Sequence, residues 1–383
     1  MVSRYAELGV DVKKRGIDAF RKHLSNLFPN AFCTVQQDPD YPDKGLVSHT
    51  DSAGSKPVQS YLHWKENGDF GWYEGLAKDV VAMNLDDIIC VGADPLCFLD
   101  YVAVNSLRLP REPLLQSLAQ GFADCLSTLK ENNCEIAFSG GETADLPDQI
   151  RTLDVSGCIF GRVALSKVIT GSTVADGDRI IGLRSGGKTK LERRENSAIM
   201  CNGLTLARLC LMSKDYGAKH PELSETKQQR YRGRYRFDQH VEALGMTVGE
   251  ALLSPTRLYA PVVKKVLQAC GSSIHALVHN TGGGQTKCLR VGRNIHFHKE
   301  SLPKPDPIFL LVQEESRTEW REMYEVFNMG IGFEVIAEPP AVDKVLDIAD
   351  FLGFDAKVIG RCSRSPEGNV LTIRSGFGTF EYR

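Results

Sequence analysis

Charge of one sign is missing from this chain. Its 383 residues carry 46 Lys and Arg against 48 Asp and Glu, a formal net charge of −2. No global basic field exists to hold a nucleic acid. Long apolar runs are missing too: none approaches the ~18 residues of a membrane span. The opening MVSRYAELGVDVKKRG lacks the apolar centre of a signal peptide. A cytoplasmic protein with no membrane partner is expected. No CxxC pair occurs, and the 11 cysteines are odd in number and scattered. That argues against a disulfide framework and for small buried hydrophobes in a reducing compartment. The GxxxxGK[ST] loop and a GxGxxG turn at a strand-to-helix junction are both absent, which argues against a P-loop nucleotidase and a dinucleotide-binding fold.

What is present is ordinary globular material, 42% apolar and 25% charged, in a length that favours two domains at roughly 100–200 residues each. Helical spacing is expected over Asp11–Leu27 (Ile17, Phe20 and Leu24 on one face), Tyr73–Ile89, Pro113–Asn132, Asn202–Ser213, Pro261–Cys270, Trp320–Phe327 and Val342–Leu352. Strands are expected at Gly45–Thr50, Phe98–Val104, Ile136–Phe138, Val155–Val163, Ile308–Val312, Lys357–Gly360 and Val370–Ile373. Strands alternating with helices indicate an α/β or α+β class. The turn-rich stretch that follows Gly171 sets the expected boundary: residues 1–170, then 171–383.

Five segments could carry chemistry. In Asp51-Ser-Ala-Gly-Ser-Lys56 a carboxylate suited to Mg²⁺ and a lysine suited to phosphate share one turn after a strand; an ordinary hydrophilic turn is the alternative. Asp79, Asn84 and Asp87 lie near one helix end, where acids oppose the dipole and a cation would offset the cost. Gly140-Gly141-Glu142-Thr143, followed by Asp145, reads as a backbone anion nest with added acids. Thr281-Gly282-Gly283-Gly284 reads as a phosphate loop or a connector. Asn328, in FNMG, ends a helix and could contact a ligand if that end faces a pocket; a helix stop at Gly330 is the alternative. His296 and His298 share a strand face without a third metal ligand. Arg230–Arg236, RYRGRYR, mixes basic and aromatic residues as RNA-binding segments do, but balanced charge favours a solvated loop. Acids with Gly-rich turns in both halves are what a Mg²⁺–triphosphate site needs.

In order along the chain, YAELGVDV (Tyr5–Val12), DSAGSK, DVVAMNLDDI (Asp79–Ile88), GADPLCFLDY (Gly92–Tyr101), GGETADLP, SPTRLYAP (Ser254–Pro261), TGGG and EMYEVFNMGIG (Glu322–Gly332) resemble the phosphoribosylformylglycinamidine cyclo-ligase family. The resemblance implies a two-domain fold. The N-terminal ATP-binding domain would join its strands to a partner's in a homodimer barrel; the C-terminal domain would hold a mixed sheet flanked by helices. It implies ATP and Mg²⁺ as cofactors, with Asp51, Lys56 and Asp79 in the catalytic set and Asp51, Asp79 and Asp87 around the metal. Gly140, Gly141, Glu142 and Thr143, with Asn84, would serve ATP, the GGET loop acting from the partner subunit. Thr281, Gly282, Gly283, Gly284 and Asn328 would serve the small-molecule substrate. The implied reaction is ATP-dependent closure of formylglycinamidine ribonucleotide to aminoimidazole ribonucleotide. Phosphoryl transfer to the amide oxygen makes a leaving group, and the substrate's own amine then attacks, helped by proximity.

The chain departs from the family in two places. The family's DGVGTK is DSAGSK here. The family's histidine before Asn-Gly falls on Met200, in a longer loop from Gly186 to Gly203 where Lys188 or Lys190 could substitute. Alternatives are an ATP-using relative of the selenophosphate synthetase or thiamine-monophosphate kinase type, or a non-catalytic nucleotide-binding protein.

Overall fold

The computed structural model describes residues 3–11, 16–224 and 230–383. Its first sheet comprises β1 (Val35–Gln37), β2 (Lys44–Ser52), β3 (Asp94–Val104), β4 (Ala137–Asp145) and β5 (Leu153–Ala164), in the order β1-β2-β5-β3-β4. Neighbours are antiparallel except β3 and β4. Strand β5 shows how sequence sets the faces. Leu153, Val155, Ile159 and Val163 point inward and are buried, while the alternate residue Phe160 is 44% exposed. The inner face receives α2 (Glu74–Ile89), with α1 (Lys56–Asn67) and α3 (Arg111–Glu131) around it. Gly121 of α3 has no room for a side chain, since a Cβ there would lie 2.3 Å from the Glu74 carbonyl oxygen of α2.

The second sheet comprises β6 (Arg179–Arg184), β7 (Ile274–His279), β8 (Ile295–Lys299), β9 (Ile331–Ala337), β10 (Ala356–Arg364), β11 (Val370–Ser375) and β12 (Gly378–Tyr382), in the order β7-β9-β6-β10-β8-β11-β12. Only β8 and β11 pair in parallel. Strand β9 is buried at every position, as its run IGFEVIA requires. Helices α4 (Leu204–Leu211), α5 (Val248–Leu253), α6 (Ala260–Cys270), α7 (Pro307–Ser316), α8 (Trp320–Val326) and α9 (Val342–Phe351) complete this half. The result is a mixed α/β fold, as expected. Among the described residues no helix is long and apolar enough to cross a membrane. Eight of the eleven cysteines are buried and all are free thiols.

Several expectations need correction. Ile308–Val312 is helical, not extended; Ile308, Phe309 and Val312 are buried at helical spacing behind a proline at the first turn. In the Asp11–Leu27 segment only Asp18–Arg21 forms one helical turn, and Ile17, Phe20 and Leu24 are exposed; residues 12–15 lie outside the described residues. GGETAD is part of β4 rather than a turn after it. RYRGRYR is not a solvated loop: Tyr231, Tyr235 and Phe237 are buried while the arginines between them face out. His296 and His298 stack at 3.8 Å and bond to Thr372 and Ser363, an ordinary strand pair.

Candidate active site between the two sheets

Alternation along β2 places His49 and Asp51 on the inner face, opposite α2. On α2, Asn84 and Asp87 are three residues apart and share a face. Asn84 Nδ2 donates to the carbonyl oxygens of Asp51 (3.2 Å) and Val80 (2.9 Å), which turns its Oδ1 toward His49 Nδ1 at 3.2 Å. His49 Nε2 then lies 3.3 Å from Asp87 Oδ2, and Asp87 Oδ1 is 2.7 Å from Nδ1 of His279, at the end of β7. Burial alone would raise the Asp87 carboxyl. Lys287, His49 and His279 outweigh it and hold the group well below the usual carboxylate range. Lys287 Nζ donates to Thr281 Oγ1 at 2.7 Å, tying the TGGG loop to this cluster.

A second cluster lies two helical turns earlier. Lys56 and Asp79 are both fully buried, 2.7 Å apart. Lys56 Nζ also donates to the Ser254 carbonyl (2.6 Å). Asp79 Oδ1 accepts from the Thr256 amide (2.7 Å), the Thr256 hydroxyl (2.6 Å) and the Cys201 thiol (3.2 Å). This separates residues that the sequence reading had grouped. Asp79 and Asp87 are about 12 Å apart along the helix axis at 1.5 Å per residue, too far to ligate one Mg²⁺ directly at roughly 2.1 Å each. In this arrangement Asp79 pairs with Lys56 and does not share one ion with Asp87.

The remaining expected residues divide. Strand order puts β4 three strands from β2, about 14 Å at 4.7–4.9 Å per spacing, so Gly140–Thr143 does not meet Asp51 within one chain. Gly140 adopts a φ of +84° and Gly141 abuts the Asp100 backbone oxygen, so both positions demand glycine. Gly283 and Gly284 have positive φ, and Gly284 packs on carbonyls of α8 and the turn after it. Asn328 is fully buried; it accepts from the Gly330 amide and the Ser185 hydroxyl and donates to the Ala198 carbonyl, so it builds a turn rather than facing a ligand. Met200 is buried with a positive φ. Lys190 donates to the Phe351 carbonyl, while Lys188 is exposed. Beside the DSAGSK turn a pocket of about 310 Å³ is lined by Gly9, Ser55, Arg151, Thr205 and Arg208.

His49, His279 and the Ser254–Ala260 segment were missed as site residues. The signal for His49 was its i, i+2 spacing from Asp51 on a strand. His279 stands beside TGGG, at the end of the buried strand β7. Arg257 is 1% exposed and grips the Gly186–Glu192 loop through the carbonyls of Arg184, Gly186 and Gly187 and the Glu192 carboxylate. Asp86 accepts from the Tyr259 and Ala260 amides and so caps α6 from α2.

Fold and junction together define a two-sheet α/β protein with an acidic seam. The fold is shared with the thiamine-monophosphate kinase of Stenotrophomonas maltophilia (TM-score 0.52, 18% identity, 86% of this chain and 85% of that one). It is also shared with Thermotoga maritima PurL complexed with ADP (TM-score 0.55, 13% identity, 95% of this chain and 47% of that one). Two family models match: AIR synthase related protein, N-terminal domain, over residues 33–163, and its C-terminal domain over 175–372. The chain belongs to the AIR synthase related family. Phosphoribosylformylglycinamidine cyclo-ligase of Methanocaldococcus jannaschii is 33% identical over 330 residues, 86% of this chain and 81% of that one. The enzyme of the same name from Alkaliphilus metalliredigens is 32% identical over 96% of this chain and 97% of its own length.

Asp86 makes the junction pH-sensitive. Burial pushes its carboxyl up to about 7, against the lowering effect of His279 and the two amides. A folded-state value above the unfolded one favours the protonated fold, so this contribution is complete below pH ~4 and lost as pH rises toward 7. Asp86→Asn keeps an acceptor for the amides without the charge. Urea unfolding at a series of pH values should show the variant gaining on the parent between pH 4 and 7, by up to about 1.4 kcal/mol per unit, and level above that. Parallel curves would contradict the assignment.

Proposed function

We propose that this chain closes formylglycinamidine ribonucleotide to aminoimidazole ribonucleotide, with ATP converted to ADP and phosphate. The observation that carries the reading is the identity to curated cyclo-ligases along nearly the whole chain. Asp51 on β2 and Asp87 on the facing helix α2 offer hard oxygen donors, and Asp87 is held ionised by its neighbours. That donor set fits Mg²⁺, which would neutralise charge on the phosphate oxygens of ATP. Lys56 and Asp79 hold the turn that carries Asp51. Arg151 and Arg208, beside Ser55, supply positive charge for the anionic end of a substrate. We take residues 1–170 as the ATP-side domain, 171–383 as the second, and the cytoplasm as the location.

A second copy completes the site in this reading. The outer face of the first sheet carries Leu99, Tyr101, Cys158 and Phe160, and among the described residues no element covers Phe160 or Tyr101, which are 44% and 38% exposed. A homodimer would bury that face, and in this reading the partner's β4, with its GGET, contributes to the site.

With Mg-ATP and formylglycinamidine ribonucleotide the protein should release ADP and a diazotisable amine in equal amounts. Asp87→Asn should lower kcat by roughly 100-fold or more. Formation of neither product would sink the proposal. Light scattering should give twice the chain mass, reduced to one chain by Phe160→Glu; a monomeric parent protein would contradict the shared site.

A further inference from the structure

Beside the proposed magnesium position the chain collects donors that magnesium does not favour. Cys33, just before β1, His49 on β2 and Asp87 on α2 each present one ligand atom, all within 4.8 Å of one another. Cys33 is 7% exposed, and the His49 and Asp87 side chains are 23% and 7% exposed. We propose that Cys33, His49 and Asp87 form a site for a soft divalent cation of the zinc class.

The orientation of Asn84 supports this independently of the donor count. Its amide group is spent on two carbonyl oxygens, so its Oδ1 must be the atom facing His49 Nδ1. Nδ1 therefore carries the proton. Nε2 then faces Asp87 Oδ2 at 3.3 Å, and something positive must lie between them, either a second ring proton or a cation. Two ligands about 2.0–2.1 Å from a tetrahedral zinc are roughly 3.3–3.4 Å apart, which is the spacing found. Asp87 Oδ1 is occupied by His279, leaving Oδ2 for an ion and fixing the carboxylate as an outer-shell partner does. The Cys33 thiol donates to the Asp87 carbonyl at 3.1 Å, so its sulfur already lies against the same helix.

Thiolate and imidazole select zinc-like ions over magnesium. Lys287, whose charge reaches both Cys33 and Asp87, opposes a bare dication. Thiolate and carboxylate together offset that charge, so binding forms a metal–sulfur bond as the thiol proton leaves to solvent. Three protein ligands leave a fourth position for water.

The test uses the full chain without nucleotide, so it stands apart from turnover. Competition with a chromophoric chelator should show one zinc per chain, and cobalt(II) should give a thiolate-to-metal charge-transfer band. Cys33→Ser should abolish the band, and His49→Ala should weaken zinc binding by roughly 100-fold or more. Cys270→Ser, on α6, should leave both unchanged. Absence of the band in the parent protein, or its survival in Cys33→Ser, would overturn the site. Should Cys33→Ser fail to fold by circular dichroism, X-ray absorption of the parent zinc form decides. One sulfur with nitrogen and oxygen neighbours supports the proposal, and an all-oxygen shell overturns it.

Discussion

The buried pair of Lys56 and Asp79 is the interaction on which the junction depends. Two charges are held out of water, and four further groups bond to them: the Ser254 carbonyl, the Thr256 amide and hydroxyl, and the Cys201 thiol. Such a pair adds little stability over an apolar replacement, yet removing one partner leaves a bare buried charge. Its value here is positional. The same segment continues into Arg257, which clamps the Gly186–Glu192 loop, and into Tyr259 and Ala260, whose amides Asp86 caps. Seven consecutive residues thus attach the second sheet's helices to α1 and α2.

With that attachment made, the inner face of β2 meets both α2 and the end of β7. The Asp51 carbonyl, Asn84 and His49 are linked by hydrogen bonds, His49 faces Asp87 at 3.3 Å, and Asp87 bonds to His279. Asp87 stays ionised because Lys287, His49 and His279 surround it, and Asp86, one residue away, is pushed toward neutrality because burial dominates there. Adjacent carboxyls on one helix face different surroundings and acquire different charges.

Much of the fold was legible from periodicity. Helices α2, α3, α6, α8 and α9 and strands β2, β3 and β5 lie where alternation or helical spacing puts them. The exceptions have physical causes. An apolar run such as Ile308–Val312 reads alike as strand or buried helix, and Gly140-Gly141 suggested a turn although the chain stays extended through it. The site was only half legible. Asp51 and Asp87 stand out as acids, but Asp79 was grouped with them because burial and the Lys56 pairing are set by contacts some 180 residues away in the chain. His49, His279 and Cys33 converge from three elements, and no local pattern announces that.

Measuring Lys56→Met tests the central claim most directly. If the buried pair positions the junction, unfolding free energy should fall by about 3–5 kcal/mol and ADP formation should collapse with it. Stability within about 0.5 kcal/mol of the parent, with turnover intact, would contradict the account.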